Sequence, residues 1–99
     1  MPFNVVFHRA ADQEFADGFS WYQMQLDGLG DRFTDAVHAV LSQIRSNPLM
    51  YAQRKNSFRA AKVKDFPFLV VYRISDKNRI IVIASIFHTS RAPHKKYRI

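Results

Sequence analysis

Three side chains near the end of the chain are of types that can move a proton or hold an anion. His88 closes an apolar run, and Arg91 and Tyr97 follow it. Histidine titrates near neutral pH, so it can serve as an acid or a base. Cleavage of RNA without a metal needs such a base, an acid, and cations that stabilise the transition state. The alternative is structural: His88 would cap the end of a sheet by bonding Thr89, Ser90 or a carbonyl of the segment that follows.

Four more cations in the second half of the chain are candidates for binding an anionic partner. Lys62 and Lys64 alternate with apolar residues, so a strand would present both lysines on one face. Arg59 and Arg73 extend this basic set on either side. The set would bind an acidic protein or a nucleic acid. The lysines have an equally simple alternative role, since charges on an exposed edge strand also protect it against aggregation.

The positive charge of the chain is concentrated in one half of the sequence. The 99 residues have a net charge of +7, with 15 Lys and Arg against 8 Asp and Glu. Residues 1–50 contain 3 of these cations and 6 of the carboxylates, so residues 51–99 contain 12 and 2. A basic half indicates an anionic partner, without deciding between nucleic acid, acidic protein and anionic membrane.

Several kinds of site are excluded by what the sequence lacks. There is no cysteine, which excludes disulfides, thiol nucleophiles, zinc knuckles and iron–sulfur clusters. His8, His38 and His94 show no metal-ligand spacing, so we expect no metal and no cofactor. The longest apolar runs, residues 66–72 and 80–87, are too short to span a bilayer, so we expect no membrane partner.

The first half of the chain predicts a strand and a helix. Residues 3–8 are rich in β-branched and aromatic side chains, as in a short strand. A helical face follows, because apolar residues recur at spacings of 4, 3 and 4 at Phe15, Phe19, Tyr22 and Leu26. Gly18 lies inside this helix, which indicates close packing there.

A second helix is predicted after the break at Asp27-Gly28, from Leu29 or Asp31 to Arg45. Asn47-Pro48 ends it. Its apolar stripe consists of Phe33, Val37, Val40, Leu41 and Ile44. Because the break is short, the two helices should form an antiparallel hairpin.

The second half predicts three strands, at residues 58–65, 68–74 and 80–87, joined by short turns. The last two strands are almost continuously apolar and should be covered on both faces. The order β-α-α-β-β-β predicts a single α+β domain over residues 1–99, with the hairpin packed on a small, mostly antiparallel sheet. Residues 88–99 should form a polar, basic tail.

Short segments along nearly the whole chain, about residues 5–93, match a known family in their order. They are Trp21-Tyr22, Gly28-Leu29-Gly30-Asp31-Arg32-Phe33, Ile44, Asn47-Pro48, Tyr51, Phe66-Pro67-Phe68, Tyr72-Arg73-Ile74 and Ile86-Phe87-His88-Thr89-Ser90-Arg91-Ala92-Pro93. With them the sequence resembles the RelE/ParE superfamily of bacterial toxins, and more narrowly its ParE branch, often labelled plasmid stabilisation proteins.

This resemblance implies a toxin of a type II toxin–antitoxin module that acts in the cytoplasm. A cognate antitoxin, expected to be acidic, would thread its C-terminal segment across the hairpin and the sheet and silence the toxin. The ParE branch is associated with trapping DNA gyrase on cleaved DNA. The nuclease branch of the superfamily instead cuts messenger RNA on the ribosome. A third reading is a family member that binds its antitoxin but is not toxic.

The nuclease alternative has candidate residues but lacks one cation. Members of the nuclease branch have their catalytic groups in the central strands and the C-terminal region. In this chain the candidate residues at comparable places are Lys64, His88, Arg91 and Tyr97. Nuclease members usually carry an Arg early in the strand that here reads Phe68-Leu69-Val70-Val71. No cation occurs in this strand before Arg73. The ParE reading, without a catalytic function, is therefore favoured.

Binding of an antitoxin or target is expected to involve two groups of residues. Trp21 and Met24 would flank a groove between the helices, unless Trp21 only widens the core face. The basic group consists of Arg59, Lys62, Lys64, Arg73 and Arg91, of which Arg91 is otherwise a solvated loop charge. Lys95, Lys96 and Arg98, with Tyr97, make the tail a further candidate for phosphate and base contacts.

Overall fold

The computed structural model describes residues 3–90, which form two helices and four strands. In chain order the elements are β1 (Asn4–Phe7), α1 (Arg9–Gln25), α2 (Leu29–Ser46), β2 (Arg59–Lys62), β3 (Phe68–Ser75) and β4 (Ile80–His88), with one 3-10 turn at Lys55–Ser57. The predicted element order and the α+β class are confirmed. His88 ends β4 and is not part of a tail. The rest of the predicted tail, from residue 91 onward, lies outside the described residues.

The four strands form one sheet in the order β1-β4-β3-β2. The pairs β2–β3 and β3–β4 are antiparallel, and only β1 pairs parallel, with β4, so the predicted mostly antiparallel sheet is confirmed. Val71 pairs with Ser85 but Tyr72 pairs with Ile83, which leaves Ala84 as the extra residue of a bulge in β4. Within residues 3–90, the sheet therefore has β1 and β2 as its edges.

The two helices begin and end where local chemistry allows. His8 caps α1 by accepting a hydrogen bond from the Ala10 N–H at its Nδ1 (3.1 Å). Gly28 has a φ of 90°, a left-handed conformation that lets the chain turn sharply into α2. Gly18 is needed for packing, since a Cβ there would lie 2.8 Å from the Phe33 ring. The predicted hairpin and the close approach at Gly18 are both confirmed.

One position of the predicted first helix face is wrong. Phe15 and Tyr22 pack against the core, but Leu26 is 61% exposed. Leu26 is the residue that ends α1, and its φ of −159° is extended. The helical spacing therefore stops at Gln25, and the side chain of Leu26 leaves the apolar face.

The main core lies between the hairpin and one face of the sheet. Phe33 is fully buried, and its ring centroid is 4.9 Å from that of Phe68 and 5.2 Å from that of Tyr22. Burial also raises the pKa of the Tyr22 phenol. Because these rings belong to both helices and to β3, the cluster fixes the hairpin on the sheet.

The opposite face of the sheet has a second, smaller cluster. Its buried members are Phe58, Ala60, Val71, Ala84 and Phe87. Covering of β3 and β4 on both faces is thus confirmed. In β2, Ala60 belongs to this cluster and Ala61 to the main core. The predicted strand 58–65 is shorter than expected, because the chain turns at Asp65, which has a φ of 69°.

No helix among residues 3–90 is long and apolar enough to cross a membrane.

Candidate functional site

The hairpin meets the sheet along two clefts, one beside each helix. The first, which we call the acidic cleft, has a volume of about 320 Å³. It lies between α1 and the ends of β3 and β4, and its lining consists of Glu14, Asp17, Gly18, Trp21, Phe68, Ile86, His88 and Ser90. Two carboxylates and three aromatic rings in one cleft form a surface suited to a cationic group.

Glu14 anchors α1 to the sheet at the back of this cleft. Its Oε1 accepts hydrogen bonds from the Ser85 hydroxyl (2.9 Å) and from the Ile86 N–H (3.1 Å). β1 ends opposite Ile83, so beyond that point α1 takes the place of a strand beside β4. No sequence signal indicates this contact, because a Glu in the first turns of a helix is already explained by the helix dipole.

His88 has a structural partner at the mouth of the acidic cleft. Its Nδ1 accepts a hydrogen bond from the Ser90 N–H (3.1 Å), and its ring meets Phe68 edge-on at 5.0 Å. This geometry agrees with the capping interpretation. The carboxylates of Glu14 and Asp17 line the same cleft and would repel a phosphate there.

Trp21 and Met24 are both exposed, by 61% and 83%. Trp21 therefore does not widen the core. It lines the cleft between α1 and the sheet, which is a different place from the groove between the helices that the sequence suggested. Met24 lies one turn further along α1, towards the hairpin loop.

The second cleft, which we call the basic groove, lies between α2 and the turn that follows β2. Its volume is about 350 Å³. Its lining consists of Leu29, Arg32, Ala36, Ala39, Val40, Gln43, Lys62, Lys64, Asp65 and Phe66. The structure thus brings Lys62 and Lys64 together, although Lys64 follows the strand rather than lying in it. Arg32 is a third cation of the groove that sequence reasoning did not single out.

The basic groove runs beside the exposed edge of β2. Among the described residues, the outer side of β2 is bridged only at Arg59, by Gln53. Val63 donates its N–H to the Phe68 carbonyl (3.0 Å). In an antiparallel ladder the neighbouring residue, Lys62, then turns its backbone N–H and C=O away from β3. The groove is therefore bordered by a strand edge that can pair with another chain.

Arg59 has an internal partner in the structure. Its guanidinium donates to the Tyr51 carbonyl (2.6 Å), and the nearby Tyr72 hydroxyl donates to the Pro48 carbonyl (2.6 Å). Burial raises the pKa of Tyr72 to about 12, an effect that the positive charge of Arg59 partly offsets. These bonds hold the segment between α2 and β2 on the sheet.

The remaining candidate residues do not join either cleft. Arg73 is half-buried in β3, and strand alternation from Tyr72 in the main core places it on the second face of the sheet. Arg91 and Tyr97 lie outside the described residues. Lys64 and His88 lie at the same end of the sheet but line different clefts. Within residues 3–90, no cluster of His, Asp and Glu could hold a metal ion.

These elements define a small α+β domain with a helical hairpin on its sheet and a charged cleft beside each helix. The sequence matches the family model of the ParE toxin of the type II toxin–antitoxin system parDE over residues 5–93. The chain therefore belongs to the ParE toxin family, as its motifs indicated.

A solved structure supports the same fold. A chain of the chromosomal ParDE toxin–antitoxin system from P. aeruginosa superposes with a TM-score of 0.67 at 15% sequence identity, over 89% of this chain and 97% of that chain. At this identity the likeness concerns the fold alone. No curated protein sequence matches the chain.

Proposed function

We propose that this chain is the toxin of a type II module and is neutralised by an acidic antitoxin that binds the basic groove. Membership of the ParE family implies an antitoxin partner. The observation that carries the assignment to the groove is the combination of three cations, Arg32, Lys62 and Lys64, with an apolar floor. An acidic, amphipathic segment is complementary to this combination.

The floor of the groove supports a close approach by such a segment. Ala36 and Ala39 have small side chains, and Phe66 offers an aromatic surface beside them. An extended peptide here would pair with the outward-facing backbone groups of Lys62 while its apolar side chains contact the floor. The cations at the rim would meet its carboxylates and speed its association.

DNA gyrase is the proposed target, in keeping with the ParE branch. The support from the structure is indirect. The cleft that contains His88 is lined by carboxylates, whereas RNA cleavage requires cations around the scissile phosphate. The chemistry of the described residues therefore favours binding of a target protein over cutting of messenger RNA.

The proposal is tested with purified protein in gyrase supercoiling and cleavage assays, with and without the antitoxin encoded beside its gene. We expect loss of supercoiling, trapped cleavage complexes, and reversal of both by the antitoxin. If gyrase is unaffected at concentrations that stop growth, the target assignment is wrong. Primer extension on messenger RNA after induction then tests the nuclease alternative, which predicts cuts that disappear in His88→Ala.

Normal growth of cells that contain the soluble protein without its antitoxin would contradict the toxin assignment itself. It would favour the reading of a non-toxic family member that retains antitoxin binding. A direct binding measurement with the antitoxin separates these two results.

A further inference from the structure

Two turns and the end of a helix meet at the end of the sheet opposite the basic groove. β3 ends at Ser75 and β4 begins at Ile80, so the turn between them lies there. β2 begins at Arg59 and runs antiparallel to β3, which brings the turn before it to the same end. α2 also ends there, because Arg45 in its last turn donates from Nε to the carbonyl of Phe3 (3.0 Å), and β1 starts beside Ile80.

Cations are concentrated in the segments that meet at this end. Residues 45–58 and 75–80 contain five Lys and Arg and one acidic residue, Asp76. The side chains of all five cations are exposed. We call the surface that they form the basic end, and its cations are Arg45, Arg54, Lys55, Lys77 and Arg79.

The surroundings of these cations do not cancel their charge. The partner of Arg45 is a backbone carbonyl, which is neutral, so the guanidinium keeps its full charge. Arg54, Lys55 and Lys77 extend into solvent from the two turns. Like charges on one surface repel each other and destabilise a fold. An anionic ligand would relieve this repulsion, so the basic end is a candidate binding surface.

Backbone conformation at the basic end indicates a binding surface too. Asn56, Ser57 and Arg79 have φ values of 56°, 69° and 52°, in the left-handed region that side chains other than glycine rarely adopt. Such residues cost conformational energy and cluster at ligand-binding sites. Here they make tight turns that hold Lys55 and Lys77 at the surface.

We propose that the basic end binds the phosphodiester backbone of a nucleic acid. The basic groove has an apolar floor, which suits a protein segment, whereas the cations of the basic end stand among small polar side chains. Hydroxyl and amide groups donate hydrogen bonds to phosphate oxygens, beside the ion pairs from Lys and Arg. The polar residues of this kind are Ser46, Asn47, Asn56, Ser57 and Asn78. The proposal does not depend on the antitoxin or on gyrase.

The salt dependence of binding tests this proposal, because it counts the phosphates that are neutralised. Fluorescence anisotropy of labelled duplexes of about 16 base pairs, one of DNA and one of RNA, gives the affinity between about 50 and 200 mM NaCl. With four or five cations on phosphates, the affinity for DNA should fall roughly two hundredfold over this range. The RNA duplex shows which nucleic acid binds more tightly.

Two matched pairs of substitutions locate the binding surface. Lys55→Gln with Lys77→Gln removes two cations of the basic end, so the affinity should fall only roughly twentyfold over the same range of salt. Lys62→Gln with Lys64→Gln makes the same charge change at the basic groove and should leave the salt dependence of the unmodified chain. Circular dichroism confirms that both variants are folded.

Three results would overturn the proposal. The first is that neither duplex binds at low salt. The second is a change of salt dependence in the groove pair as large as that in the pair at the basic end, because binding would then follow the charge of the whole chain. The third is polyglutamate binding as tightly as the duplexes and equally sensitive to Lys55→Gln with Lys77→Gln, which would assign the basic end to an acidic protein.

Discussion

The two clefts beside the hairpin are similar in volume and opposite in charge. The acidic cleft takes its carboxylates from α1, and the basic groove takes its cations from α2 and the end of β2. The net charge of +7 therefore does not describe the whole surface. Because the two clefts differ in charge, they are complementary to ligands of opposite charge.

The clefts also differ in how the sheet ends beside them. At the acidic cleft, Glu14 bonds the backbone of β4 where β1 stops. At the basic groove, the backbone of Lys62 on the edge strand β2 faces outward. A side chain has thus taken the place of a strand at one cleft, whereas the other offers backbone groups to a partner. This contrast favours the basic groove as the place where a partner strand adds.

The largest loss of stability should come from a change at Phe33, which packs beneath both clefts. Phe33 is fully buried between α1, α2 and the sheet. Phe33→Ala removes a large ring from a packed core, so the free energy of unfolding should fall by about 3–5 kcal/mol. Urea unfolding followed by circular dichroism measures this. A loss below about 1 kcal/mol would contradict the packing described here.

A smaller loss of stability is expected from a change at Glu14, which anchors only the acidic cleft. Glu14→Ala removes the acceptor of the Ile86 N–H and the Ser85 hydroxyl and should cost about 1–3 kcal/mol of stability. Glu14→Gln keeps an acceptor oxygen and should cost less. Hydrogen exchange at the Ile86 amide should accelerate in the Ala variant. Equal stability of the two variants would mean that these hydrogen bonds do not hold α1 on β4.

The smallest effect concerns the bond between Tyr72 and the chain after α2. Tyr72→Phe removes the hydroxyl that donates to the Pro48 carbonyl and should cost about 0.5–1.5 kcal/mol near neutral pH. Burial raises the pKa of Tyr72 in the folded state to about 12, above its ordinary value of 10.0. The folded state therefore holds this proton more tightly, and its stabilising effect should decline as the pH rises from about 10 to about 12.

Urea unfolding at a series of alkaline pH values checks this prediction. The Phe variant should lack the part of the decline that is due to Tyr72, since it has no hydroxyl to ionise at that position. Parallel declines in the two proteins would show that Tyr72 titrates alike when folded and unfolded.

The helices were predictable because their signals are local. The spacing of Phe33, Val37 and Ile44 specifies one buried face whatever the rest of the chain does. Gly18 could be assigned to close packing for the same reason. The error at Leu26 arose at the helix end, where periodicity continues in the sequence after the backbone has already become extended.

The clefts were less predictable because they depend on distant parts of the chain. Glu14 meets Ile86 across 72 positions, and no local pattern indicates that contact. The charge of Arg59 led to its prediction as a binding cation, but in the structure its guanidinium donates a hydrogen bond to the Tyr51 carbonyl. Trp21 lies next to the apolar face of α1 in the sequence pattern, which is compatible with a groove or with a wider core. The cleft that it lines depends on how α1 crosses the sheet, and the sequence pattern does not give that crossing.

The central claim, that an acidic antitoxin binds the basic groove, is tested most directly by its association rate with two charge-reversal variants. Lys62→Glu with Lys64→Glu changes the groove. Lys55→Glu with Lys77→Glu makes the same charge change at exposed positions at the opposite end of the sheet. We expect the first pair to slow association by roughly tenfold or more at low salt and to raise the Kd, with little effect of the second pair. Equal rates for the two pairs, with antitoxin binding retained, would contradict the assignment of the groove while leaving the toxin assignment intact.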